Sequence, residues 1–152
     1  MFLPKEQFLE VITNTPLVSI DLIVRNPSGA ILMGRRINEP AKDNWFVPGG
    51  RIFKNEDLKD AFRRICQEEL GIELAITKAQ LFGAFTHKYE VNVFGKPGIS
   101  THYVVLAYDL NIVDQPLDIN AQHSAIRWIS ESEANCPGSA IDPNVLPYYT
   151  VI

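Results

Sequence analysis

Between Gly50 and Ile72 the chain reads GRIFKNEDLKDAFRRICQEELGI, a stretch in which a glycine turn, two acidic pairs and two adjacent arginines crowd around one short helix. Just upstream, WFVPGG ends an extended segment with a proline stop and two glycines, Gly49 and Gly50, that let the backbone approach a ligand or metal closely. A backbone carbonyl there, joined by carboxylate oxygens from the helix, is the donor set magnesium prefers. That ion takes oxygen ligands and keeps several waters for work on phosphates. Zinc fits poorly, because Cys66 and Cys136 are far apart and lack C-x-x-C spacing. Five of the seven arginines, Arg35, Arg36, Arg51, Arg63 and Arg64, flank this turn. Planar bidentate donors so concentrated suit a small anionic ligand, with Arg35 and Arg63 reading as ordinary surface residues.

The elements that must position these groups can be read locally. Asn55 is a good N-cap with Glu56 and Asp57 in the first turn, and Gly71 suits a left-handed C-terminus, which brackets about four turns of helix. Leu58, Ala61, Phe62, Ile65 and Leu70 form a stripe that buries against a sheet. Pro4 to Ile12 predicts a short N-terminal helix with proline in its first turn. Residues 18–24 alternate as a strand, residues 26–29 turn, and residues 30–34 are expected to return antiparallel. Strands are expected at 80–86, 102–110 and 126–129. Ser130 and Glu133 then form a capping box for a final short helix.

Two positions on these strands could carry function or merely pack. Asp21 interrupts an apolar strand; it either faces water on the alternating side or, if buried, must be paired, with Arg36 or with a substrate donor. Tyr103 either buries a satisfied hydroxyl or donates it to a phosphate oxygen.

At 152 residues the chain makes one domain, 1–152, of mixed α and β character without repeats. Its hydrophobic content of 46% is that of an ordinary soluble protein. No apolar run is long enough to span a membrane, and MFLPKEQFLE has no signal-peptide pattern. Two cysteines give no disulfide framework, so a cytoplasmic location is expected. A net charge of −4 argues against a bulk nucleic-acid binder.

The Gly50–Ile72 stretch resembles the Nudix box, in which glycine, glutamate, arginine, paired glutamates, glycine and an aliphatic residue recur at fixed spacing. Gly50, Glu56, Arg64, Glu68, Glu69, Gly71 and Ile72 match in register; Ile65 stands where the pattern has glutamate and Cys66 where it has an aliphatic. The resemblance implies an α+β fold, a Nudix-type α/β/α sandwich with a mixed β-sheet. TPLVSIDLIV, GRRINEPAKDNWFVPGGR, THYVVLAY and AQHSAIRW extend it over most of the chain, towards the GDP-mannose mannosyl hydrolase branch of that family. This branch attacks the sugar carbon instead of phosphorus, inverts it, and lacks the glutamate replaced here by Ile65, although it need not retain Glu68.

That branch implies hydrolysis of GDP-mannose, or GDP-glucose, to GDP and the free sugar by a homodimer with one magnesium per subunit, for which manganese can substitute. The implied metal ligands are the Gly49 carbonyl, Glu69 and Gln122, with Glu56 bridging Arg64. His123 is the implied general base, because a histidine titrating near pH 6.5 is substantially neutral at working pH. Arg36, Arg51 and Arg64 are the diphosphate or structural arginines, with His87 and Tyr103 also contacting substrate; the SIDLIV match favours the functional reading of Asp21. Two alternatives stay open. One is a conventional Nudix pyrophosphohydrolase cutting at phosphorus, and the other is a non-catalytic nucleotide-sugar-binding module, for which Ile65 is the best argument.

Overall fold

The computed structural model describes residues 2–111 and 123–150, residues 123 and 124 through their backbone alone. In chain order the elements are α1 (Lys5–Asn14), β1 (Leu17–Val24), β2 (Ile31–Arg36), β3 (Trp45–Phe46), β4 (Gly49–Arg51), α2 (Leu58–Leu70), a 3₁₀ turn at Ile76–Lys78, β5 (Ala79–Tyr89), β6 (Thr101–Leu110), β7 (His123–Ile129), α3 (Glu131–Ala134) and a C-terminal 3₁₀ segment, Pro143–Tyr149. The architecture is α+β. A four-stranded mixed sheet runs β4-β1-β6-β5, with β1 and β6 parallel, and a three-stranded antiparallel sheet runs β3-β2-β7.

β1 is the spine, buried on both faces at every position but Val18. Its side chains alternate, so Ile20, Leu22 and Val24 join the core under α2, built with Phe62, Ile65 and Leu70. Each of those three helix residues is fully buried, and each contributes about 1.5–3 kcal/mol by leaving water. Ile23, on the other face, joins a second core with Met33, Val47, Val145 and Tyr148. Asp21 shares that parity and is 4% exposed, which rules out the water-facing alternative.

Two local expectations are corrected. The chain after β1 does not fold back as a hairpin; apart from one bridge at Arg25 and Ile31, β2 leaves for the second sheet and pairs with β3 and β7. Nor does Asn55 cap α2. It adopts a left-handed conformation (φ 65°), Asp57 is the N-cap, and Leu58 at the first helical position is 38% exposed. Gly71 ends α2 left-handed as expected (φ 67°), and Ser130 and Glu133 close the capping box on α3.

Candidate functional site

Sheet register brings distant residues to one end of the mixed sheet. Asp21 lies opposite Gly49 on β4, Ser19 opposite Arg51, Leu17 opposite Tyr103 on β6, and Tyr103 opposite His87 on β5. With Arg36 from β2 and Arg64, Glu68 and Glu69 from α2, they line a cleft of about 290 Å³. Every residue expected at the site and described through its side chain therefore faces one cavity. Gln122 and the side chain of His123 lie outside the described residues; the backbone of His123 is in β7, in register with Arg36.

The glycine turn is tight for a visible reason. A Cβ on Gly49 would stand 2.5 Å from the Ile20 carbonyl oxygen and 2.8 Å from Asp21 Oδ1, so only glycine lets β4 lie this close to β1. One on Gly50 would meet Ile65 Cγ1 at 3.2 Å. Ile65, where the box pattern has glutamate, is thus a wholly buried apolar wedge between α2 and the turn.

Glu69 is the acid left facing the cleft from the buried side of α2. It is 4% exposed and its Oε2 has no hydrogen-bond partner. Burial pushes its pKa up to about 7, against a partly offsetting attraction from Arg36. A buried carboxylate oxygen without a donor, beside a glycine turn, fits an oxygen-seeking divalent cation, and Glu69 with the Gly49 carbonyl are the described groups that would hold one. Among the described residues no three acids, histidines or cysteines converge as a metal cluster.

The arginines divide by what already engages them. Arg64 gives Nε and Nη2 to the two Glu56 oxygens (2.7 and 2.9 Å), Nη2 again to the Arg51 carbonyl (2.8 Å) and Nη1 to Glu68 (3.1 Å), and it stacks 3.9 Å over the Phe53 ring. With four donations in place from a guanidinium's five N–H groups, it is a structural clamp between α2 and β4. The bidentate bond to Arg64 pulls the Glu56 pKa down, and Glu56 accepts from Phe53 N–H as well (3.0 Å). Arg51 lies over the Phe8 and Phe53 rings at 4.6 and 5.1 Å, with its charge towards the cleft. Arg36 gives Nε to the Pro40 carbonyl (2.9 Å), and its charge reaches Asp21, Glu69 and Tyr103.

Of the two partners the sequence left open for Asp21, Arg36 acts on it only through its charge, and the hydrogen bond comes from elsewhere. Asp21 Oδ2 accepts a 2.6 Å hydrogen bond from Tyr148 Oη, and burial raises the Asp21 pKa to about 7. His87 is 3% exposed, its Nε2 has no partner, and burial lowers its pKa, keeping the ring neutral. Tyr89, also in the cleft, donates to buried Asp142 at 2.9 Å. Sequence reasoning missed Tyr89, Asp142 and Tyr148. The one available signal was Asp142 before Pro143, an N-cap followed by proline, which does start the C-terminal segment by accepting from Asn144 N–H.

Comparison with known proteins places this arrangement. A family model described as NUDIX domain matches residues 15–149. Over 126 residues, 82% of this chain and 78% of the relative, the sequence is 40% identical to the low-salt glycan biosynthesis protein Agl8 of Haloferax volcanii. A shorter match, 34% identical over 55 residues, covers 36% of this chain and 23% of an RNA pyrophosphohydrolase from Coxiella burnetii. The MutT protein from Methanosarcina mazei Go1 shares the fold at a TM-score of 0.68, with 18% identity and coverage of 90% and 92% of the two chains. The NUDIX domain of Shewanella oneidensis NrtR, complexed with ADP ribose, does so at 0.57, with 17% identity and 86% of each chain covered. With a domain match reaching from β1 through the C-terminal 3₁₀ segment and a relative this similar along most of its length, the chain belongs to the NUDIX domain family, the Nudix hydrolases.

Proposed function

We propose that this Nudix hydrolase acts at carbon: it hydrolyses GDP-mannose, or GDP-glucose, to GDP and the free sugar with inversion at the anomeric centre. The observation that carries the reading is the distribution of carboxylates. Among the described residues Glu69 is the box acid with a buried, unpartnered oxygen, Glu56 and Glu68 are engaged by Arg64, and Ile65 fills with hydrocarbon the place of the fourth box glutamate. Attack at phosphorus profits from several carboxylates that hold metals and activate water at the reacting phosphoryl group. Attack at carbon makes the diphosphate a leaving group, for which fewer suffice. The Haloferax relative is named for glycan biosynthesis, which agrees with sugar-nucleotide chemistry.

Magnesium, one per subunit of a homodimer, would be held by the Gly49 carbonyl, Glu69 and Gln122, and when bound it supplies positive charge to the departing diphosphate. Arg36 and Arg51 bind the diphosphate oxygens, Tyr103 donates its phenol to one of them, and neutral His87 contributes a further polar contact. Asp21 accepts a hydrogen bond from a sugar hydroxyl. His123, in register with Arg36 on β7, takes the proton as a water oxygen bonds to C1. The C1–O bond breaks as that bond forms, and its electron pair leaves on the β-phosphate of GDP.

The reaction run in oxygen-18 water and followed by proton NMR tests this. Label enters mannose at C1, the phosphates stay unlabelled, and β-mannose appears first from the α-linked substrate. Label in a phosphate, with GMP and mannose 1-phosphate as products, establishes instead the pyrophosphohydrolase reading, which the presence of Glu68 in the cleft favours. Absence of turnover with any nucleotide sugar leaves the binding module.

A further inference from the structure

Asp21 reaches the cleft from β1, but what aims it comes from the other end of the chain. Tyr148 is fully buried in the C-terminal 3₁₀ segment and does not itself line the cleft. Its ring is wedged edge-on against Phe85 and Phe82, with centroids 5.2 and 6.1 Å away, and tilted against His87 at 6.3 Å. Its carbonyl accepts from Arg25 Nη2 at 2.6 Å, and Arg25 is anchored through Nε to Asp109 at 2.9 Å. The next residue is fixed as well, since Tyr149 Oη donates to the Ile129 carbonyl at 2.7 Å. A phenol held at ring, backbone and neighbour delivers its hydroxyl to one oxygen of Asp21 at 2.6 Å. The other oxygen is confined beside Gly49. With one oxygen held by the phenol and the other lodged where a Cβ on residue 49 would stand, one orientation of the carboxylate is favoured, and a group that must meet substrate within a fraction of an ångström is preorganised.

We infer that Tyr148 is a positioning residue of the active site, acting on the sugar half of the substrate through Asp21. The inference rests on the proposed role of Asp21 toward the sugar. Tyr148→Phe keeps the ring packing and deletes one hydroxyl. It lowers kcat on GDP-mannose about 10- to 100-fold, the range usual for a group that orients a reacting one. It leaves the Kd for GDP with magnesium within about twofold, because GDP lacks the sugar that Asp21 serves. Asp21→Asn lowers kcat too, and the double variant is no slower than Asp21→Asn alone, since a residue that acts through Asp21 has nothing left to position. Should Tyr148→Phe unfold below the assay temperature, Arg25→Lys, which loosens the Tyr148 backbone and leaves its hydroxyl, carries the same cycle.

Three results overturn the inference: a wild-type kcat in Tyr148→Phe, a fall in GDP affinity matching the fall in rate, or losses that multiply in the double variant. Failure of the underlying reading looks different. A wild-type rate in Asp21→Asn removes the role of Asp21, and with it that of Tyr148. Release of GMP by the wild type moves the bond cleaved, while the cycle, run on that reaction, still decides whether Tyr148 works through Asp21.

Discussion

Glu69→Gln should make the metal-free protein more stable while abolishing its activity. The acid is 4% exposed with an unpartnered oxygen, and burial holds its pKa near 7 against an ordinary value of 4.5. The folded state therefore binds the Glu69 proton more tightly than the unfolded chain does. This contribution is fully present below about pH 4.5 and is lost as pH rises through about 7. At about 1.4 kcal/mol per unit, the ionised carboxylate costs the metal-free fold roughly 3 kcal/mol at pH 8. Glutamine has nearly the same shape, no charge and fair helix propensity, so it removes that cost and leaves α2 in place. The expected signature is a melting temperature higher than wild type by about 6–12 °C at pH 8 in chelator, with little difference at pH 4.5. Magnesium should raise the wild type and not the variant, because only an ion that binds the folded state stabilises it. Turnover should collapse in the variant. Equal stability of the two proteins at pH 8 in chelator would refute the burial argument, and near-normal turnover of the variant at low magnesium would refute the ligand assignment.

Three other substitutions test separate parts of the site. His123→Ala should lower the maximal rate by roughly 10² to 10⁴ with a smaller effect on substrate binding, and should remove the acid limb of the pH–rate profile; a limb that persists moves the base elsewhere. Gly49→Ala places a methyl 2.5 Å from the Ile20 carbonyl and should cost at least about 1–3 kcal/mol in a urea titration. Gly50→Ala, which meets only the Ile65 side chain at 3.2 Å, should cost less, and the reverse order would contradict the packing. Ile65→Glu restores the box carboxylate but puts it in a fully buried apolar site. It should destabilise by about 3 kcal/mol or more without producing GMP from GDP-mannose, whereas a stable variant that cleaves at phosphorus would show that residue 65 alone sets the bond attacked.

The site was legible where chemistry sits in a local pattern, and illegible where it depends on long-range pairing. Gly49, Arg64 and Glu69 belong to one continuous stretch, and the resemblance of that stretch to the Nudix box singled them out. Arg36 and Arg51 stand out in the sequence as part of the arginine cluster, but only the fold shows that they converge with His87 and Tyr103 from four elements on one cleft. Asp21 was flagged by its type in an apolar strand, and its partner stayed open between Arg36 and a substrate donor because Tyr148, which holds it, lies 127 residues away. Alternation also misled at β1: Ser19 and Asp21 share a face with Ile23, yet cores on both faces of the strand leave it no water-facing side. Asn55 was misread because asparagine suits both an N-cap and a left-handed turn, and the turn prevailed.

The parallel pairing of β1 with β6 also sets the order in which the protein can be completed. Leu17 to Val24 leave a ribosome some 80 residues ahead of the neighbour they need, Thr101–Leu110. At about 5–20 residues per second, β1 waits several seconds as an apolar segment without its sheet. Asp21 waits longer still, for Tyr148, which follows it by 127 residues. A nascent chain stalled after β6 would thus hold the glycine turn and the cleft arginines but leave Asp21 without the Tyr148 hydroxyl that bonds to it.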